Sequence, residues 1–155
     1  MIIKRNEQSI PIGLFKETLL EYLETGKINK TELLIKVKNF HKGENRAKKA
    51  MNAIYSTITY KSSVINFLKR KFTQTKFKRL SEYEQNLLCI ALLCLRFPFY
   101  YEILFILGKF FAIQDSVNKR YITKAITAKF GANIGVEIAI SAALRNFIES
   151  KTIKK

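Results

Sequence analysis

Apolar residues recur along this chain at spacings of three and four, with scarcely any strict alternation, so the pattern predicts helices throughout and no strand. Over Ile12–Thr25, the residues Leu14, Phe15, Thr18, Leu19, Tyr22 and Leu23 fall on one face, and Gly26 supplies a C-terminal stop. Asn29-Lys-Thr-Glu32 has the spacing of a capping box and launches a helix with Leu33, Leu34, Val37 and Phe40. After Gly43, Glu44–Ile58 reads as a helix with Ala47, Ala50, Met51, Ile54 and Ile58 inward and Arg46, Lys48, Lys49 and Asn52 off that face. Ser62–Phe72 is a short helix on Val64, Ile65, Leu68 and Phe72, and Thr73–Leu80 reads as a polar connector. Ser81-Glu-Tyr-Glu84 is a second capping box, opening a helix over Tyr83–Leu95 that is apolar nearly all round. Pro98 suits the first turn of a helix over Pro98–Ile113. Asp115 or Ser116 caps another that runs to about Phe130, and a turn at Gly131–Asn133 leads into Ile134–Ser150.

The expectation is a single all-α domain over residues 1–155, a compact bundle of seven or eight helices around an apolar hairpin formed by Leu87–Leu95 and Pro98–Ile113. Twelve Phe and seven Tyr, with only two Pro and six Gly, supply the core and exclude disorder as the default. Arg96, Pro98, Glu102 and Lys109 interrupt the apolar segment, whose longest unbroken run is far short of the ~20 residues a spanning helix needs. No membrane span is expected. The opening MIIKRNEQSIPIG lacks the apolar stretch of a signal peptide. Cys89 and Cys94 sit five apart in an apolar run, a spacing for neither zinc nor a redox pair, and read as core residues in a reducing, cytoplasmic setting.

Charge changes the picture most. The net charge is +16, and from Asn45 to Ser81 there are ten bases and no acid: Arg46, Lys48, Lys49, Lys61, Lys69, Arg70, Lys71, Lys76, Lys78 and Arg79. Such crowding repels itself, and a polyanion relieves it by releasing condensed counterions as phosphates are neutralised. Arg46, Lys48, Lys49, Lys69, Arg70, Lys71, Lys76, Lys78 and Arg79 are therefore the candidate nucleic-acid contacts. Thr73-Gln74-Thr75 between the later clusters offers hydroxyl and amide groups to phosphate, and Asn45, Asn52 and Tyr55 add polar or stacking contacts. The short link after Ile58 makes the two basic helices antiparallel neighbours, which would merge their bases into one surface.

Catalytic chemistry finds no foothold. His41 is the one histidine and reads as an exposed loop residue; Glu82 and Glu84 occupy a helix first turn, where they serve cap and dipole; and the glycines form no phosphate loop. The expectation is a non-enzyme without metal or cofactor. The two helices flanking Gly131–Gly135 suggest a helix-turn-helix only weakly, because Glu137 falls where that motif buries an apolar residue and Arg145 is the second helix's one base. A hairpin completing the bundle is the better reading.

The order of these features resembles BrxA, a small accessory protein of the BREX phage-defence systems. The features are the Leu-rich helix around Leu19–Leu23, GENRAKKAMNAI, a second short helix, LSEYEQNLLCIALLCLRFPFYYEILFILGKF, and the closing VEIAISAALRNFIESKTI. That family resembles the RNA-binding antitermination factor NusB in fold, and SEYEQNLLCIALLCL is similar to the NusB stretch leading into its buried helix. The resemblance implies a NusB-like helical fold, duplex DNA in preference to RNA, and action beside other proteins of a defence complex; the residues themselves offer no base-reading group, so low sequence specificity is expected. No site residue carries over from it. Three alternatives stay open: an RNA-binding antitermination-type factor; an adaptor whose basic face docks an acidic partner, with Phe97–Tyr101 as a contact patch; and a peripheral protein on anionic lipid.

Overall fold

The computed structural model describes residues 5–60, 63–71 and 73–154. Among the described residues the chain forms nine helices and no strand: α1 (Ile12–Thr25), α2 (Lys30–Lys38), α3 (Glu44–Ile58), α4 (Ser63–Lys71), α5 (Gln74–Arg79), α6 (Glu82–Arg96), α7 (Pro98–Phe111), α8 (Lys119–Phe130) and α9 (Ile134–Glu149). Ser62 and Phe72, the predicted limits of the fourth helix, lie outside the described residues, as does Lys61.

The pair α6–α7 is the centre of the bundle. Pro98 denies Phe97 the helical region, leaving it at φ −124°, ψ 88°, and the chain bends there by 118°. Packed on α6 are α1 and α3, with α2 and α5 outside them; packed on α7 are α8 and α9. Cys89, Leu93, Phe99, Tyr100, Ile103, Ile140 and Phe147 are fully buried where these layers meet. The outer line of each central helix stays in solvent: Tyr83, Leu87 and Leu95 on α6, Tyr101 and Phe105 on α7. No single described helix is long and apolar enough to cross a membrane.

The segment before α1 is extended and is fixed by side chains rather than by a sheet. The Ile10 N–H donates to Asn146 Oδ1 at 2.9 Å, and the Ile12 N–H donates to Glu149 Oε1 at 2.9 Å. Asn146 Nδ2 donates to the Tyr100 hydroxyl at 3.0 Å, and Asn6 Nδ2 reaches the same oxygen at 3.3 Å. Burial raises the Tyr100 phenol well above its ordinary value despite both amides. Gly135 is where this segment crosses α9: a Cβ there would lie 2.6 Å from the Arg5 guanidinium.

Several local expectations change. Residues 74–79 are helical, not a connector: Thr73 Oγ1 accepts the Lys76 N–H and Phe77 is fully buried. At α2, Asn29 caps the Thr31 and Glu32 amides, but Glu32 turns to Lys36 at 3.0 Å instead of closing the box. Ser81 and Glu84 do form the reciprocal box. Helix α8 starts after Asn118, whose side chain accepts the Arg120 N–H, rather than at Asp115 or Ser116. His41 is half-buried, with Nε2 3.0 Å from the Ser9 carbonyl oxygen, so it is a tether for the extended segment and not a free loop residue.

Both cysteines are free thiols, and burial pushes each from an ordinary 9.0 up to about 12. A thiol neutral in the native state and ionised in the unfolded one favours unfolding as pH rises through the unfolded value. The thiols' contribution to stability is therefore expected to be flat up to about pH 8 and to fall as pH rises from about 9 towards about 12. In the same range, native protein should react with iodoacetamide far more slowly than unfolded protein. Equal alkylation rates in the two states would contradict the burial.

Candidate nucleic-acid interface

Helix α3 turns Ala47, Ala50, Met51, Ile54, Thr57 and Ile58 into the core, which leaves Arg46, Lys48, Lys49 and Asn52 exposed on the opposite face. Lys48 is not an unmatched charge: its ammonium lies 2.8 Å from Glu44 and holds that carboxyl below the usual carboxylate range. An exposed i,i+4 pair of this kind is screened by solvent and weak, so phosphate can compete for the lysine. Lys49 and Asn52 line a groove of about 500 Å³ together with Arg5, Gln8, Ser56 and Arg96. Arg96 is held in place: Nε donates to Ser56 Oγ at 3.4 Å, and the guanidinium lies 4.9 Å from the Tyr60 ring centre and 5.6 Å from that of Phe97. Arg5 is offset by Glu7 at 3.4 Å. Arg46 lines a smaller adjoining cleft with His41, Ser9 and Arg145.

The second cluster hangs on one side chain. Phe77 is fully buried, and α5 packs on α1. Gln74 Nε2 donates to Glu24 Oε2 at 2.6 Å, and Gln85 Nε2 donates to the Phe77 and Leu80 carbonyls at 3.2 and 3.0 Å. Lys76, Lys78 and Arg79 are thereby left exposed, as are Arg70 and Lys71 at the end of α4. The side chain of Lys69 lies outside the described residues. Thr73 and Gln74 are taken up in holding α5, so of the three polar residues between the clusters only Thr75 remains uncommitted in the structure.

The two clusters do not merge. Helix α4 is not among the helices that pack extensively on α3, whose neighbours are α2, α6 and α1. Arg46 adjoins Ser9, before the start of α1, whereas Gln74 grips Glu24 in its last turn. The fourteen residues of α1 span about 21 Å at 1.5 Å each, so the clusters sit towards opposite ends of that helix. Among the described residues, none of Arg46, Lys49, Arg70, Lys71, Lys76, Lys78 and Arg79 is drawn into an ion pair with a carboxylate.

The fold also gathers bases that the linear sequence did not bring to notice. Arg5 and Arg96 join Lys49 only through tertiary packing, and Arg96 stands in the sequence as a mere interruption of an apolar run. Further bases lie on α8, where Lys119, Arg120, Lys124 and Lys129 are exposed. Their signal is an acid-free stretch from Ser116 to Val136, diluted by apolar positions. Lys129 is committed to Glu102 at 2.6 Å, while Arg120 and Lys124 border an open cleft with Thr123 and Thr127. The following helix is no reading head: α9 buries Val136, Ala139, Ile140, Ala143, Leu144 and Phe147 in the bundle. The aromatic run Phe97–Tyr101 is likewise no contact patch, since Phe97, Phe99 and Tyr100 are buried and only Tyr101 of its aromatic rings reaches solvent.

No family model, curated protein or solved structure matches this chain.

Proposed function

We propose that this protein is a non-catalytic, cytoplasmic nucleic-acid-binding component of a larger assembly, favouring duplex DNA and reading little sequence. The observation that carries the reading is the acid-free stretch Asn45–Ser81, whose described bases project into solvent and, Lys48 aside, have no carboxylate partner. The groove beside Lys49 adds Arg5, Arg96 and the amides of Asn52 and Gln8, groups that suit sugar and phosphate oxygens. Positioning contacts of this kind give affinity without base readout. The resemblance to BrxA is what favours DNA over RNA and a place beside other phage-defence components. An adaptor role is the second reading, favoured by the apolar line Tyr83, Leu87 and Leu95 left exposed on α6.

With six to ten phosphates neutralised, affinity for a random duplex of about 30 base pairs is expected to fall roughly 10³–10⁵-fold between 50 and 200 mM salt. Fluorescence anisotropy with labelled duplex and with RNA of matched length measures this directly. Tighter binding to RNA would move the reading to the antitermination type, and no binding to either at about 50 mM salt would overturn it.

A further inference from the structure

A second cavity, which shares no lining residue with the Lys49 groove, has a different chemistry. It holds about 700 Å³ between the end of α7, the start of α8, α9 and residues 153–154. Its floor is aliphatic: Leu107, Ile122 and Leu144 are 2%, 4% and 8% exposed. Phe111, Ile148 and Ile153 continue the apolar wall towards the mouth. Three cations border the same space, Lys119, Arg145 and Lys154, against one acid, Asp115. Among the described residues none of those three cations is in an ion pair. Lys119 is held in place by a 3.0 Å hydrogen bond to Ser141 Oγ, and that hydroxyl in turn donates to the Glu137 carbonyl.

A cavity of this size lies in the range of small-molecule sites, about 300–1,000 Å³, and the pairing of a greasy floor with a few convergent polar groups is their usual composition. The charge excess at the mouth selects an anionic head. The wall selects the rest: it is aliphatic apart from Phe111, and it lacks the paired aromatic faces on which a nucleobase stacks. We infer that this cavity binds a single-chain amphiphile with an anionic head, a long-chain fatty acid or alkyl phosphate, whose head meets Lys119, Arg145 and Lys154 while its chain covers Leu107, Ile122 and Leu144. Each methylene moved from water onto that floor tightens binding about fourfold, so a chain of about ten carbons binds while much shorter ones do not. None of the lining residues belongs to the Asn45–Ser81 clusters, but Arg145 also lines the cleft beside Arg46, so amphiphile binding is measured without nucleic acid present.

The test uses the full chain and titrates dodecanoate, dodecyl phosphate and dodecanol below their aggregation limits, followed by amide chemical shifts. Saturable one-to-one binding of both anions, with shifts confined to α7, α8 and α9, is expected. Dodecanol should bind at least tenfold more weakly. Arg145→Gln combined with Lys154→Gln should weaken the anions by tenfold or more and leave dodecanol unchanged. Ile148→Trp, at a partly exposed position that tolerates the larger ring, should block all three. Equal affinity for dodecanol and the anions, or undiminished binding by a folded Ile148→Trp variant, would overturn the inference. A parallel arm uses phosphatidylglycerol vesicles: binding to these alone, without saturable uptake of free dodecanoate, would overturn it in favour of a membrane surface.

Discussion

Replacing Asn146 by Leu is expected to cost about 3 kcal/mol or more and to lower the melting temperature by roughly 6–12 °C. The amide is fully buried and works in two directions, accepting from the Ile10 backbone and donating to the Tyr100 hydroxyl. Leucine keeps the branched outline but is bulkier than asparagine, so no cavity forms, and overpacking adds to the loss of the hydrogen bonds. The Ile10 N–H, on a residue at 0% exposure, is left without an acceptor in a medium where an unpaired donor is expensive. Tyr100 keeps Asn6, which limits the damage on that side. Tyr100→Phe serves as the comparison, because it orphans no backbone group, only the Asn146 side-chain donor, and it should cost about 1–2 kcal/mol. Chemical or thermal unfolding measures both. Equal effects from the two substitutions would mean that the Ile10 hydrogen bond contributes nothing.

Removing four bases, Arg46, Lys49, Arg70 and Lys71, all to Ala, is expected to weaken duplex binding by about 10³-fold or more at roughly 0.1 M salt. It should also flatten the salt slope by about 0.9 for each phosphate that is no longer neutralised. All four side chains are exposed, so the fold and its melting temperature should hardly change. Because the clusters lie towards opposite ends of α1, the Arg46/Lys49 and Arg70/Lys71 double variants should contribute additively, within about 0.5 kcal/mol. An effect confined to one pair would assign the interface to one end of the molecule. No effect from either pair would leave the basic stretch as solvated surface and favour the adaptor reading, with α6 as its contact.

The helices most legible in the sequence are those with chemical punctuation. Gly26, with φ +71°, ends α1 in the left-handed conformation that such a stop requires, and Gly43 sets the start of α3, so both helices run over the expected residues. The Ser81 box marks α6 for the same reason: a cap is a local interaction written in four consecutive residues. Helix α5 was illegible because six residues cannot display a period and a single Phe77, docked on a distant helix, decides the matter. The aromatic run at 97–101 misled by adjacency, since helical geometry buries Phe99, Tyr100, Ile103 and Leu107 on one side and leaves Tyr101 and Phe105 on the other. The candidate bases were visible as composition. Their division between two ends of α1, and the arrival of Arg5 and Arg96 beside Lys49, depend on packing between residues far apart in the chain, which no local pattern encodes.

The hydrogen bonds joining residues 10 and 12 to Asn146 and Glu149 also set the order in which this protein can be finished. They bridge separations of 136 and 137 residues, among the most distant partners in the molecule. During synthesis the helices around α6 can assemble as they emerge, and Asn6 and Ser9 can already meet Tyr100 and His41, yet the Ile10 and Ile12 N–H groups have no acceptors until α9 has left the ribosome. Closing so long a loop costs little extra by then, because the entropy grows only as the logarithm of its length and the intervening helices have already shortened it. The Ile10 and Ile12 amides, made well before α9, therefore gain these partners only when α9 is in place.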